Sequence, residues 1–344
     1  MIFIKLPRIF NTKKSLDKKY MILLFQKRRK NFLTKNEKLL DLKIELVRNF
    51  CGKYRNMSLK YTLITNRGAK NIRAKIHRRQ DIPYREWKAL NWLRDKGFGQ
   101  NIPHFLDYDP SLNIYFYLET PGFSLENLLA QRKINNQINL IAPIVRCLKR
   151  MHNISSEKPD FLPIKTFERE KWEYRHWYFL VRKCAKDFYP EFSFLLKQLW
   201  QFRQKNKEIF KNNFGLVHGD LHWGNIISQN KKFKIIDFSY AFWGDPLEDV
   251  GGFLAQNDSM FRYYAPKLKK QSQEIRNLFL KNYFTKQELE DKKIKIRLLY
   301  FEIRKILEMA AILALVESNR ENKARGIKIL LKQGEEKIKK LLLI

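Results

Sequence analysis

Cysteine is scarce in this chain: Cys51, Cys147 and Cys184 are the only three, far apart and odd in number. They build neither a disulfide framework nor a metal-ligand spacing, which predicts a reducing, intracellular and hence cytoplasmic setting. Long apolar runs are absent too. None reaches the roughly 18 residues that a membrane-spanning helix needs, and the longest candidate, Ile306 to Val316, is short, contains Glu308 and reads as a buried helix. Acid is the other shortage, with 35 Asp plus Glu against 69 Lys plus Arg, a formal charge of +34. Two explanations stay open: attraction to an anionic partner (nucleic acid, lipid surface, acidic substrate), or a compositional bias in which Lys, Asn, Ile and Phe are all abundant. A hydrophobic content of 44% excludes a disordered chain, and 344 residues suffice for one bilobal enzyme or two modest domains.

Against these absences stands one dense stretch, Leu216-Val217-His218-Gly219-Asp220-Leu221-His222-Trp223-Gly224-Asn225, followed by Ile235-Ile236-Asp237-Phe238. It reads as short strands with polar residues at their exits. Leu216-Val217 enters a tight loop, and apolar residues resume at Ile226-Ile227. After a Gln-Asn-Lys-Lys turn, a second strand runs from Phe233 to Phe238. The turn brings Asp237 beside the loop that carries Asp220 and Asn225. Two carboxylates and an amide oxygen converging in this way suit magnesium-assisted phosphoryl transfer, because Mg2+ takes oxygen ligands and keeps waters and phosphate oxygens. Taken singly, Asp220 is a turn residue, Asn225 an Asx turn and Asp237 a strand-end acid. The joint spacing is what carries the reading. His218 and His152 read as packed core histidines, and His222 is open between loop packing and a contact near an acceptor.

The wording His-Gly-Asp-Leu-His-x-Gly-Asn, with Asp245-Pro246 and Asp249 downstream, resembles the aminoglycoside phosphotransferase and choline kinase superfamily, whose fold is protein-kinase-like. Protein kinases place Arg where Gly219 stands, and no Ala-Pro-Glu follows Asp237, so a small-molecule kinase is favoured over a protein kinase. The resemblance implies an α+β bilobal fold, with a five-stranded antiparallel small lobe bearing one helix and a larger, mainly helical lobe. It also implies ATP and Mg2+ as cofactors, Asp220 as catalytic base, and Asn225 and Asp237 as metal ligands. Lys75 then matches the strand lysine that reaches the phosphates, and Glu86 the helix carboxylate that holds it. A departure is Arg73, two residues before Lys75, where kinases usually place a small or apolar side chain beneath the adenine; it leaves the register open, with Lys70 as the fallback for Lys75.

Further nucleotide contacts are expected from a glycine-poor loop with Gly52, Lys53 and Asn56, and from the backbone near Glu119 and Pro121. The expected organisation is a basic extension over 1–40, a nucleotide-binding lobe over 41–119 and a catalytic, acceptor-binding lobe over 120–344. Within these, strands are expected near 44–50, 59–65, 71–76, 102–106 and 113–119, and helices near 82–96, 124–132, 138–152, 274–283 and 286–316. Asp245 is expected to cap a helix and Asp249 to brace the catalytic loop. The partners expected are a nucleotide and a small-molecule acceptor (amino alcohol, sugar or aminoglycoside-like), with weak association of the basic terminal segments with anionic surfaces. The scarcity of acid leans mildly toward a sugar, a lipid-linked or an anionic acceptor, including a lipopolysaccharide sugar. A basic pseudokinase or scaffold that binds nucleotide and an anionic partner is the alternative.

Overall fold

A computed structural model describes residues 12–49, 56–77, 79, 81–131, 133, 138–154, 157–211 and 214–344. The chain divides into two compact units. One comprises the residues up to Pro121 together with Lys234–Tyr240, and the other Gly122–Phe233 with Ala241–Ile344. The described part is an α+β structure with an antiparallel sheet unit and a larger, mainly helical one.

The sheet unit opens with three short helices, α1 (Thr12–Leu16), α2 (Lys18–Lys27) and α3 (Arg29–Phe32). The strands β1 (Leu39–Asn49), β2 (Asn56–Thr65) and β3 (Gly68–His77) follow, then the helix α4 (Asp81–Leu93), and finally β4 (Phe105–Asp109) and β5 (Ile114–Leu118). The five strands form one antiparallel sheet in the order β1-β2-β3-β5-β4. Alternation along β2 and β3 explains its two faces. Leu59, Tyr61 and Leu63, with Ile72, Ala74 and Ile76, are buried on one face, while Arg73 and Lys75 project from the other. Met21, Leu24 and Phe25 of α2 and Phe32 of α3 cover the apolar face. The basic helices therefore complete this core, and their lysines ride on its outside. Polar ties fix them: the Tyr61 hydroxyl donates to Ser15 O at 2.7 Å, and Lys70 Nζ to Phe32 O at 2.7 Å.

The fourth strand departs from expectation. The sequence predicts a strand at 102–106 and a loop over Asp107-Tyr108-Asp109, whereas β4 runs Phe105–Asp109. Acids are poor strand formers and read as turns. Here Arg28 pairs with Asp107 at 2.9 Å and with Asp109 at 2.8 Å, so both acids are tolerated in the ladder.

The helical unit begins with β6 (Phe123–Ser124) and α5 (Leu125–Ala130), where Ser124 Oγ accepts from Asn127 N at 3.1 Å, the expected cap. It continues through α6 (Ile141–His152), α7 (Phe167–Cys184) and α8 (Tyr189–Lys205) to the short strands β7 (Gly215–Val217) and β8 (Ile226–Gln229). Asn230 and Lys231, both at positive φ, turn the chain into β9 (Lys232–Ile235), as a two-residue hairpin loop requires. Then come β10 (Phe242–Gly244), α9 (Leu247–Tyr264), α10 (Lys269–Tyr283), α11 (Lys286–Glu290), α12 (Lys292–Val316) and α13 (Arg320–Leu343). The single helix expected over 286–316 is two, because Asp291 accepts from Lys293 N and Ile294 N and starts α12 afresh. Apolar spacing alone does not reveal such a cap. No described helix is long and apolar enough to cross a membrane.

Phe25 is fully buried, edge-on to Phe32, Tyr61 and Phe116 with ring centroids 4.7, 5.4 and 5.6 Å away. Phe25→Ala is expected to destabilise the sheet unit by about 3–5 kcal/mol, read as an earlier urea transition. Leu23→Ala, on the exposed side of the same helix, should change it by no more than about 0.5 kcal/mol.

Candidate functional site

The predicted site residues fall into two groups, one in each unit. In the sheet unit, Lys75 Nζ lies 2.8 Å from Asp237 Oδ2 and 3.8 Å from Glu86 Oε1. Strand β3 aims Lys75 off the polar face, and the first turns of α4 carry Glu86 inward between Ile82, Ala89 and Leu90. Asp237 does not continue a strand, as the sequence suggested. The strand ends at Ile235, and Asp237 adopts a left-handed conformation with φ 69°, which Asp tolerates better than most residues. Its carboxylate is held from the other side by the Ser239 hydroxyl, which donates to Oδ1.

The electrostatics follow from burial. Desolvation alone would lower the pKa of Lys75, but the carboxylates of Asp237 and Glu86 outweigh it and hold the ammonium charged. Glu86 is 2% exposed, with Oε2 buried and without a hydrogen-bond partner. Burial pushes its carboxyl up to about 7 against the pull of Lys75.

Arg73, the departure noted in the sequence, is paired with Glu119. Arg73 Nε donates to Glu119 Oε1 at 2.8 Å, and Lys60 stands 3.7 Å from the same carboxylate. The Glu119 N–H bonds to Asn71 O at 3.3 Å. Pro121 has no N–H, so only its carbonyl is available. Gly52 and Lys53, expected to contact phosphate, lie outside the described residues, as does the side chain of Asn56.

In the helical unit, the loop after β7 is pinned by one carboxylate. Asp249, near the start of α9, accepts from His218 N at 2.6 Å through Oδ2 and from Gly219 N at 3.0 Å through Oδ1. Gly219 sits at φ 81°, open to glycine at little cost. His152 Nε2 meets the same Asp249 Oδ2 at 3.1 Å, and its Nδ1 pairs with the Tyr283 hydroxyl at 2.6 Å. Burial would raise the pKa of Asp249, yet the His152 contacts and the His218 N–H bring it below the usual carboxylate value. The bracing role expected of Asp249 and the core role expected of His152 are therefore both present. Asp245 accepts from Leu247 N at 3.0 Å, in the first turn of α9, and also binds Arg297 through both oxygens.

Asp220 projects from this pinned loop. Its backbone carbonyl accepts from Asn225 Nδ2 at 3.0 Å, which leaves the Asn225 amide oxygen as the atom able to hold a cation. His222 Nδ1 accepts from Gly224 N at 3.0 Å, so in the neutral ring the proton belongs on Nε2, 3.6 Å from Asp220 Oδ2. Burial lowers the pKa of His222, which favours that neutral form. His222 thus packs the loop and also faces Asp220. Sequence reasoning missed Lys305, whose Nζ is 3.3 Å from Asp220 Oδ1, and Glu126, whose Oε2 packs against Gly224. A lysine inside the apolar run of α12 was the one available signal for the first; nothing marked the second.

The Asn225 amide oxygen and the Asp237 carboxylate are each hard oxygen donors of the kind Mg2+ takes with waters and phosphate oxygens, so the chemistry of each suits that ion. No compact cluster of His, Cys, Asp and Glu among the described residues suggests a transition metal instead. The pKa of Glu86 generates a test. Between the ordinary value of 4.5 and about 7, the folded protein keeps a proton that the unfolded chain has released. Stability should therefore fall as pH rises through that window, by at most about 1.4 kcal/mol per pH unit. Urea unfolding at pH 5, 6 and 7 should show this fall in the wild type and a flatter profile in Glu86→Gln.

Known proteins resemble this chain in sequence and in fold. The profile of the phosphotransferase enzyme family matches residues 60–274, more than half of the chain. Protein LicA of Haemophilus influenzae is 28% identical over 176 residues, 50% of this chain and 60% of that protein. Methylthioribose kinase of Bacillus thuringiensis is 33% identical over 78 residues, 21% of this chain and 20% of that protein. The chain thus spans less than two thirds of the length of these curated relatives. Among solved structures, choline kinase from Cryptosporidium parvum shares the fold with a TM-score of 0.63 at 14% identity, over 95% of this chain and 96% of that one. With its loop of His218 to Asn225 and the acids behind it, the chain belongs to the phosphotransferase enzyme family.

Proposed function

We propose that the protein is an ATP-dependent phosphotransferase that moves the γ-phosphate to a hydroxyl of a small molecule. The observation that carries this reading is Asp220 itself, held on a loop whose backbone is pinned by Asp249 and Asn225, with its side chain about a third exposed. The acceptor oxygen forms a bond to the γ-phosphorus, its proton passes to Asp220, and the bond from that phosphorus to the β-phosphate oxygen breaks to release ADP. Lys75 pairs with the phosphates, and Glu86 keeps Lys75 in place. Asn225 and Asp237 hold Mg2+, which when bound neutralises charge on the phosphate oxygens. Gly52, Lys53 and Asn56 contribute to the phosphate loop, and the backbone near Glu119 and Pro121 to the base. Catalysis of this kind is mostly positioning, and that is what the hydrogen bonds around Asp220 supply.

The acceptor class follows from what surrounds the loop. Glu126 packs on Gly224 and acts on His222, and Glu308 lies on α12 beside Lys305. Tyr264, half exposed, has its phenol pushed up by burial and then by Glu126, Tyr263 and Glu317. Carboxylates with an aromatic face suit an amine-bearing alcohol, an amino alcohol or aminoglycoside-like molecule, better than the anionic acceptor that overall composition favoured. Local charge opposes net charge here. The basic terminal segments supply weak attraction to anionic surfaces, separate from the reaction.

Magnesium-dependent ATP consumption should be measured against pools of amino alcohols, aminoglycosides and sugars. One amine-bearing pool is expected to stimulate it, and Asp220→Asn to lower the rate by about 10²–10⁴-fold while nucleotide binding persists. Equal consumption by wild type and Asp220→Asn would sink the reading, and stimulation only by neutral sugars would move the acceptor class.

A further inference from the structure

Helix α12 is largely apolar where it crosses α9, yet Lys305 stands in its middle, 9% exposed. An ammonium taken out of water needs carboxylates around it. One is local: Glu308 Oε2 lies 3.2 Å away, one turn along the same helix. That pair would be enough to neutralise the charge. The second partner is 85 residues upstream, Asp220 Oδ1 at 3.3 Å, and the packing of α9 on α12 makes room for it. A Cβ at Gly251 would lie 2.7 Å from Phe301 Cβ and 2.9 Å from Glu302 N, so only glycine permits this crossing. At Gly252 an added Cβ would make only ordinary contact with the Lys305 stem, 3.8 Å from Cγ and 3.9 Å from Cδ, which places that stem directly against α9. The helix that carries Asp249, the brace of the loop backbone, therefore also carries Gly251, which lets α12 approach closely enough for Lys305 to reach the side chain of the loop.

The geometry points to Lys305 as a positioning residue for Asp220: by occupying Oδ1, it leaves Oδ2 as the oxygen that receives the acceptor proton. This rests on the phosphotransfer reading above. The torsion that turns an Asp carboxylate is broad, with no steep preference of its own, so an unanchored Asp220 offers its two oxygens in many orientations. With Oδ1 tied to Lys305 and His222 Nε2 at 3.6 Å from Oδ2, one orientation is selected. Glu308 has a part in the same step. When the acceptor proton reaches Asp220 and its charge is lost, Lys305 keeps an anionic partner.

A double-mutant cycle tests this with Asp220→Asn, Lys305→Met and the pair together. Lys305→Gln serves as a second variant should Met fold poorly. Slow ATP turnover with water as acceptor is read in each, so the cycle does not wait on identifying the acceptor. Lys305→Met is expected to lower kcat at least tenfold, leave the KM for ATP within twofold, and have less than a twofold further effect when combined with Asp220→Asn. A loss that multiplies undiminished in the Asp220→Asn background would overturn the proposal, since Lys305 would then act independently of Asp220. So would an unchanged kcat with only an earlier urea transition, which is what a merely structural ion pair predicts. If instead Asp220→Asn itself keeps the wild-type rate, the assignment of the base has failed, not the link from Lys305 to it.

Discussion

Two backbone N–H groups, those of His218 and Gly219, point at one carboxylate, and the rest of the helical unit is arranged to keep that carboxylate in place. Asp249 is 2% exposed, so it can stay ionised only where donors replace water. The two N–H groups and His152 do so, and His152 is oriented in turn by the Tyr283 hydroxyl on α10. Residues from α6, the loop, α9 and α10 are thus joined through a single side chain. Hydrogen bonds to a charged group are the strong ones, and a buried network that is fully satisfied is rigid. That rigidity fixes where the backbone of Asp220 sits, and its contact with Lys305 then orients the carboxylate.

The acids of this basic chain are few, and several of them are spent inside. Glu302, 1% exposed, is held by Arg276 and Lys337, and Asp245 by Arg297. Glu248 meets both Lys165 and Arg304. Buried ions persist when paired, and removing one partner costs far more than the pair contributes. Pairing inside withdraws acid from the surface, so the excess of Lys and Arg is felt mainly outside. This is why the net charge of +34 says little about the chemistry at the loop, where Glu126 and Glu308 stand.

Legibility differs between kinds of element. The strands and helices whose apolar residues alternate or recur, such as β2, β3, α4 and α6, are readable because their side chains report one partner face. Strand β4 is displaced from its expected place because its acids are stabilised by Arg28, 79 residues from Asp107 in the chain. The break between α11 and α12 escapes a reading of the sequence because a cap is a single hydrogen-bonding residue within an uninterrupted apolar pattern. Lys75, Glu86, Asp220, Asn225, Asp237 and Asp249 could be named in advance through the family motifs they match, whereas the pairing of Lys75 with Asp237 and of Asp249 with the His218 and Gly219 N–H groups comes from the structure.

By itself the sequence determined the periodic strands and helices and the motif from His218 to Asn225, whose resemblance to a known family implied the α+β class, because periodicity and a motif depend only on neighbours along the chain. Only the tertiary structure decided that α2 and α3 close the core of the sheet, that Glu86 is buried deeply enough to shift its ionisation, and that Lys305 reaches Asp220. Those facts depend on which surfaces pack together and how closely. A glycine at position 251 sets such a distance between two helices, and no periodicity in the chain announces what will come through the gap.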